Sequence, residues 1–332
     1  MNSDEQKLEY HHRSFFARLP SQPHHLTERV TPTEQAIVLC HLGIPKLSRE
    51  SWRLHIRGLV RQSLVLTFDD IAEFDKHEVE SVHQCAGSPL RPDEPSQRVC
   101  NLVWGGVPLS SILSKVTVFP EARYLWSQGA DSGRFGDVDC GPYIKDLPLD
   151  RIGQNVLLAY EMNGRPLLPE HGAPVRLVVP GFYGTNSVKW LTSLTLGEGR
   201  ADSPFTRRWY LDSDADGERT IPVWRTAPQS ILVSPPPDNR DCECGKLMRI
   251  RGWAWGDQGV DHVDVSVDGG QSWLEAQLEP ERGHAWRQFT CDWVPPLPGH
   301  YSITSRAESP DGTIQPADGR RNALYAVPVT VR

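Results

Sequence analysis

Alternation of apolar and polar positions dominates the chain. In WRLHIRGLV, Trp52, Leu54, Ile56 and Gly58 alternate with Arg53, His55 and Arg57, which predicts a half-buried strand. LTFDDIAEF reads as a helix start, with Thr67 as N-cap and acidic residues in the first turn. HEVESVHQC is extended again, and GGVPLSSILSKV predicts a short amphipathic helix with Leu109, Ile112 and Leu113 on one face. Farther on, VLLAYEM, VRLVVP and VKWLTSLTL predict three strands, the first ending at Asn163-Gly164, a strong hairpin dipeptide. Two loops lie between them, 169–173 and 181–187, and carry His171, Tyr183, Asn186 and Ser187. Loops on a rigid β framework are where binding groups tend to sit.

The pattern changes after about residue 215. SPPPDN is a proline-rich connector, and the remainder reads as short strands with regular turn signals. Val263, Val265 and Val267 alternate before an Asp268-Gly269-Gly270 turn; Tyr301, Ile303 and Ser305 repeat the pattern. This predicts a β-sandwich of immunoglobulin-like type. The expected fold class is therefore α+β: an N-terminal arm over 1–36, a mixed α/β domain over 37–215 and a β-sandwich over 216–332. A length of 332 residues suits two domains.

Charge and composition narrow the function. A net charge of −7 argues against nucleic acid and acidic membrane surfaces as partners. No apolar run approaches the length of a membrane span. The N-terminus is polar with no apolar secretory core, so a cytoplasmic location is expected. Seven dispersed cysteines, an odd number, fit a reducing compartment. Cys242 and Cys244 lack zinc-site spacing. Dinucleotide and Walker loops, the zincin helix, the serine-hydrolase elbow and a haem-attachment motif are all absent from the sequence.

One stretch carries candidate chemistry. In SVHQCAGSPLRPD, Cys85 ends a strand-like run immediately before small residues and a proline that turn the chain away. A thiol at such a corner is presented rather than packed, although most single cysteines are merely small core residues.

HQCAGS, WGGVPLSSIL, LLAYEMNGRPLLPEHGAPVRLVVPGFYGTNSVKWL and GWAWGDQGVDHVDVSVDGGQSW together resemble the sulfite oxidase family of molybdopterin-dependent oxidoreductases. The resemblance runs from about residue 37 to the C-terminus. It implies that Cys85 is the thiolate ligand of a molybdenum ion held by a pterin dithiolene, a soft donor for that metal. It also implies that His41, Asp131, His171, Arg176, Ser187, Val188 and Lys189 line the pterin cofactor. Arg176 and Lys189 are the natural partners of its phosphate and ring. Tyr210 falls at the family's active-site tyrosine. Arg321 falls at a substrate-pocket arginine, with Arg320 as the competing register.

The sequence departs from the family at Leu39, where an arginine is usual. It departs again at Ser88-Pro89-Leu90, where Asn-Arg-Arg usually follows the cysteine. Arg91 then becomes the candidate replacement charge. The expected activity is oxidation of sulfite to sulfate by oxo transfer, with Tyr210, Arg321 and Arg91 as catalytic residues. The alternatives are the same cofactor acting on a sulfoxide, an organic sulfur compound or nitrate, and a non-enzymatic cofactor-binding role. The resemblance further implies a homodimer formed through the sandwich. With no haem in this chain, electrons would leave to a separate acceptor, a cytochrome or small oxidant.

Overall fold

The structure is a computed structural model, and it describes residues 9–11, 15–18, 22–87, 98–153, 155–213, 216–237, 239–317 and 321–332. Among these, sheet dominates, and the α-helices are three short ones, Phe68–Ala72, Leu109–Leu113 and Pro204–Arg207. No helix among the described residues is long and apolar enough to cross a membrane.

The chain forms two compact units that interleave in sequence. The first comprises Met1–Leu19, Ala36–Val79 and Leu102–Trp224; the second comprises Pro20–Gln35, Glu80–Asn101 and Arg225–Arg332. The bulk of each unit lies on one side of residue 215, and the segments Pro20–Gln35 and Glu80–Asn101 cross over to the second. Strands His77–Gln84 and Val99–Pro108 each begin in one unit and end in the other. Local patterning reveals strands but not which long-range partner claims each end.

In the first unit a five-stranded sheet runs in the order Leu64–Thr67, Arg53–Gly58, Leu191–Gly197, Tyr124–Phe135, Val138–Pro148. Leu54 and Ile56 are fully buried while Arg53 and His55 are exposed, as the alternation requires. Thr67 caps Phe68–Ala72 in a reciprocal capping box: its side chain accepts from Asp70 N, and the Asp70 carboxylate accepts from Thr67 N at 2.7 Å.

A second sheet pairs Leu157–Met162 with Val99–Pro108 on one side and with Arg165–Pro166 and Arg176–Val178 on the other. Asn163 and Gly164 both have positive φ, 51° and 71°, the turn geometry that the dipeptide predicts. Gly105 and Gly106, expected at a helix start, lie instead in the strand. A Cβ at Gly106 would sit 2.1 Å from the Leu158 carbonyl oxygen, so only glycine lets the strands meet there. Within the N-terminal arm, Glu9–His11 pairs with Phe15–Arg18, which pairs in turn with Val38–Cys40, forming a small antiparallel sheet.

The second unit contains the expected sandwich. One sheet orders Gln229–Ser234, Met248–Trp255, Arg287–Trp293 and Gln277–Leu278; the other orders Asn239–Cys242, Val327–Val331, Gly299–Glu308, His262–Ser266 and Leu274–Glu275. Ile250, Val265, Phe289, Ile303 and Ala307 are fully buried in its core.

Candidate functional site

In the first unit, the loops that follow Leu157–Met162 and Arg176–Val178 gather most of the expected pterin residues. Arg176 is 3% exposed, and its guanidinium donates to the His171 carbonyl at 3.0 Å and the Ser187 carbonyl at 2.8 Å. One buried fork therefore fixes both loops. It also lies over the Trp104 ring at 4.8 Å. Ser187 Oγ accepts from Val179 N at 3.0 Å, and the Val188 carbonyl accepts from Leu177 N at 2.8 Å.

Lys189 reaches back across the unit. Its ammonium donates to the Leu39 carbonyl at 2.8 Å, Cys40 Sγ at 3.0 Å and the Glu170 carbonyl at 3.0 Å. Those three acceptors account for its three N–H donors. Burial is the main reason its pKa is lowered. Gly172, with φ +103°, makes room for it: a Cβ there would lie 2.9 Å from Lys189 Cβ. Trp190, at φ +49°, turns the chain sharply, which is why the predicted strand VKWLTSLTL begins only at Leu191.

Asp131 is 5% exposed, and its Oδ1 has no hydrogen-bond partner among the described residues. Burial pushes its pKa up to about 6, against the pull of Lys189. His41 is ringed by Phe135, Tyr143, Phe205 and Tyr210. Burial first, then the Lys189 charge, lowers its pKa to about 4, so the imidazole is neutral at pH 7. Tyr210 Oη and His41 Nε2 are hydrogen-bonded at 2.9 Å. Tyr210 itself sits at φ +58°, a left-handed conformation that is uncommon for a bulky side chain.

Cys85, in the second unit, is half-buried at the corner that the sequence marks. Its N–H donates to the Arg98 carbonyl at 2.9 Å, and its Sγ accepts from Gly87 N at 3.3 Å. Burial raises the thiol pKa, and the Gly87 N–H, the Arg98 guanidinium and Arg321 oppose that rise. Arg321 also donates to the Ala86 carbonyl. Arg91 and Arg320 lie outside the described residues.

Two residues escape a reading of the sequence. Arg98 becomes visible only when the strand pairing sets it opposite Cys85. Lys145, in IKDLP, resembles surface charge but is 1% exposed. Its place on the same strand face as Tyr143 and Leu147 was the available signal.

The residues fit a molybdopterin cofactor. Cys85 offers a soft sulfur donor at a half-exposed corner, the buried Asp131 Oδ1 can accept a ring N–H, and Arg176 and Lys189 supply positive charge for a phosphate.

Residues 41–205 match the model of an oxidoreductase molybdopterin binding domain, and residues 222–324 match that of a Mo-co oxidoreductase dimerisation domain. These define the class, a molybdopterin oxidoreductase core followed by its dimerisation module. Rat mitochondrial sulfite oxidase is 34% identical over 92% of this chain and 60% of its own length. Chicken sulfite oxidase is 31% identical over 88% of this chain and 69% of its own. The crystal structure of the sulfane dehydrogenase SoxCD from Paracoccus pantotrophus superposes with a TM-score of 0.83 at 29% identity, covering 97% of this chain and 87% of that one. The chain belongs to the sulfite oxidase family of molybdopterin oxidoreductases. It spans about 60% of the length of the mammalian sulfite oxidases it matches.

Proposed function

We propose that this chain is a molybdenum-cofactor oxidoreductase that oxidises sulfite to sulfate and passes the electrons to a separate acceptor. The observation that carries the reading is Cys85, a half-buried thiol at a strand end, facing a backbone N–H and the charges of Arg98 and Arg321. Such a field favours the thiolate that a soft metal requires and draws an anion to the same place. When bound, the cofactor supplies the oxo group and takes up two electrons.

The chain's own residues bind and orient. His41, Asp131, His171, Arg176, Ser187, Val188 and Lys189 hold the pterin. Asp131 accepts a ring N–H, and Arg176 and Lys189 present positive charge to the phosphate. Arg321 and Arg98 hold the sulfur oxyanion, with Arg98 in the role expected of Arg91. The Tyr210 phenol, fixed by His41, orients that anion. The sandwich pairs two chains about a two-fold axis, the commonest closed symmetry. A cytochrome suits the acceptor role.

A second substrate class is favoured by one observation. Leu39 carries no charge where an arginine is usual in sulfite oxidases, and the match to a sulfane dehydrogenase extends over 97% of the chain. A sulfane sulfur needs fewer guanidinium groups than a free oxyanion does.

The test is metal analysis and turnover of protein made in cells that synthesise the pterin. One molybdenum per chain is expected, with Cys85 protected from alkylation, and Cys85→Ser should fold but lose turnover. Sulfite should outpace sulfane, sulfoxide and nitrate with an artificial acceptor. Wild-type protein from those cells with no molybdenum, or with Cys85 freely alkylated, refutes the reading.

A further inference from the structure

Lys145 is a buried ammonium that is hydrogen-bonded to a backbone carbonyl rather than to a carboxylate. It is 1% exposed, on strand Val138–Pro148, opposite Ser127 of the neighbouring strand. Its Nζ donates to the Phe205 carbonyl at 2.8 Å and lies 4.9 Å from the centroid of the Tyr210 ring. The adjacent carboxylate, Asp146, is committed elsewhere: it takes Arg200 Nε and Nη2 at 2.8 and 3.0 Å and Ala201 N at 3.2 Å. Burial lowers the Lys145 pKa to about 7, with Asp146 opposing and Arg200 adding to the effect. A methionine of similar length would fill this space without desolvating a charge. The charge is therefore an expense for folding, and the ring it lies over is that of Tyr210. The hydroxyl of that phenol is hydrogen-bonded to neutral His41.

We propose that Lys145 is a positioning residue for Tyr210, its buried ammonium fixing the phenol in its left-handed corner and adding positive charge beneath the ring where an anionic substrate meets the hydroxyl. This rests on the reading of Tyr210 as the substrate-facing tyrosine. The carbonyl of Phe205 anchors the ammonium but does not neutralise it. The residual field is thus available to the ring and to whatever the ring holds. The effect is selective: an anion is favoured, and a neutral sulfoxide is not.

The test uses the cofactor-loaded full chain and its Lys145→Met variant below the Lys145 pKa of about 7, where the ammonium is charged, with sulfate as the anion probe and thermal shift as the readout. The variant should melt at a higher temperature than wild type, bind sulfate about 3- to 10-fold more weakly, and raise the KM for sulfite by a similar factor with kcat within about 2-fold. A structural lysine would instead lower the melting temperature and leave sulfate affinity alone, and unchanged sulfate affinity overturns the proposal. Weaker sulfate binding by the variant in a protein that oxidises no sulfur compound supports the role of Lys145 while sinking the proposed activity. Should Lys145→Met not fold, the ε-carbon resonance of Lys145 provides the second measurement. Tyr210→Leu should lower its titration midpoint by about half to one pH unit, and superimposable titrations overturn the proposal.

Discussion

Replacing Asp131 with asparagine in cofactor-free protein should stabilise the fold at neutral pH and leave it unchanged in acid. The reason is the carboxylate's isolation. Asp131 is 5% exposed, Oδ1 meets no donor among the described residues, and burial outweighs the attraction of Lys189. Its pKa rises from 3.8 to about 6 in the fold. Between those values the folded state holds a proton that the unfolded state has released, so stability falls as pH rises through that window. Above pH 6 the full cost is present, up to about 3 kcal/mol from the size of the shift. Asparagine cannot ionise and removes the slope. For a domain of this size that is on the order of 5–10 °C in melting temperature at pH 8. The assay is thermal unfolding from pH 4 to 8 of both proteins purified without pterin synthesis. The two curves should meet near pH 4, diverge as pH rises towards 6 and stay apart above it. Loading the cofactor should close the gap, because a ring N–H then satisfies the ionised carboxylate. Parallel curves across the whole range, or a variant less stable at pH 8, would refute the assignment of Asp131 as a desolvated acceptor awaiting a donor.

Three further outcomes are expected. Arg98→Ala should raise the KM for sulfite about 10- to 100-fold, the loss of one charge-assisted hydrogen bond, while the molybdenum content stays near one per chain; steady-state kinetics on metal-analysed protein decides it. Gly106→Ala should cost at least about 2 kcal/mol, because the new Cβ would fall 2.1 Å from the Leu158 carbonyl oxygen, and urea unfolding would read this directly. Full-length protein should scatter light as a dimer at micromolar concentration, and a chain cut at residue 224 should not.

Periodicity alone located much of the framework. Leu54 and Ile56 point inward as alternation demands, Thr67 caps its helix, and Asn163-Gly164 turns the hairpin. These features depend on neighbours in sequence. The features missed depend on distant ones. Nothing local tells that Trp190 takes a positive φ and breaks VKWL, or that Gly105 and Gly106 serve a close strand contact rather than a helix start. Arg98 meets Cys85 only once strands His77–Gln84 and Val99–Pro108 have paired. Lys145 reads as surface charge until the strand face on which it sits is known to be covered. The pterin residues were named by the order of motifs that resemble a family, and no spacing rule alone would have joined His41 to Tyr210 across 169 positions.

The charges of the first unit explain why this framework suits an anionic cofactor. Lys145, Arg151 and Arg176 are buried there, against the buried carboxylates Asp131 and Asp146. Asp146 is spent on Arg200, and Asp131 is half-protonated near pH 6. Apart from Cys40 Sγ at Lys189, the acceptors seen for these cations are backbone carbonyls: those of His171 and Ser187 for Arg176, of Leu39 and Glu170 for Lys189, of Phe205 for Lys145. A carbonyl dipole orients a cation without cancelling its charge. The fold thus desolvates and aims positive groups before any ligand arrives, and it bears that cost in its own stability. A phosphate-bearing pterin would then meet positive charge that is already desolvated and fixed in place, so more of the attraction would be left as affinity.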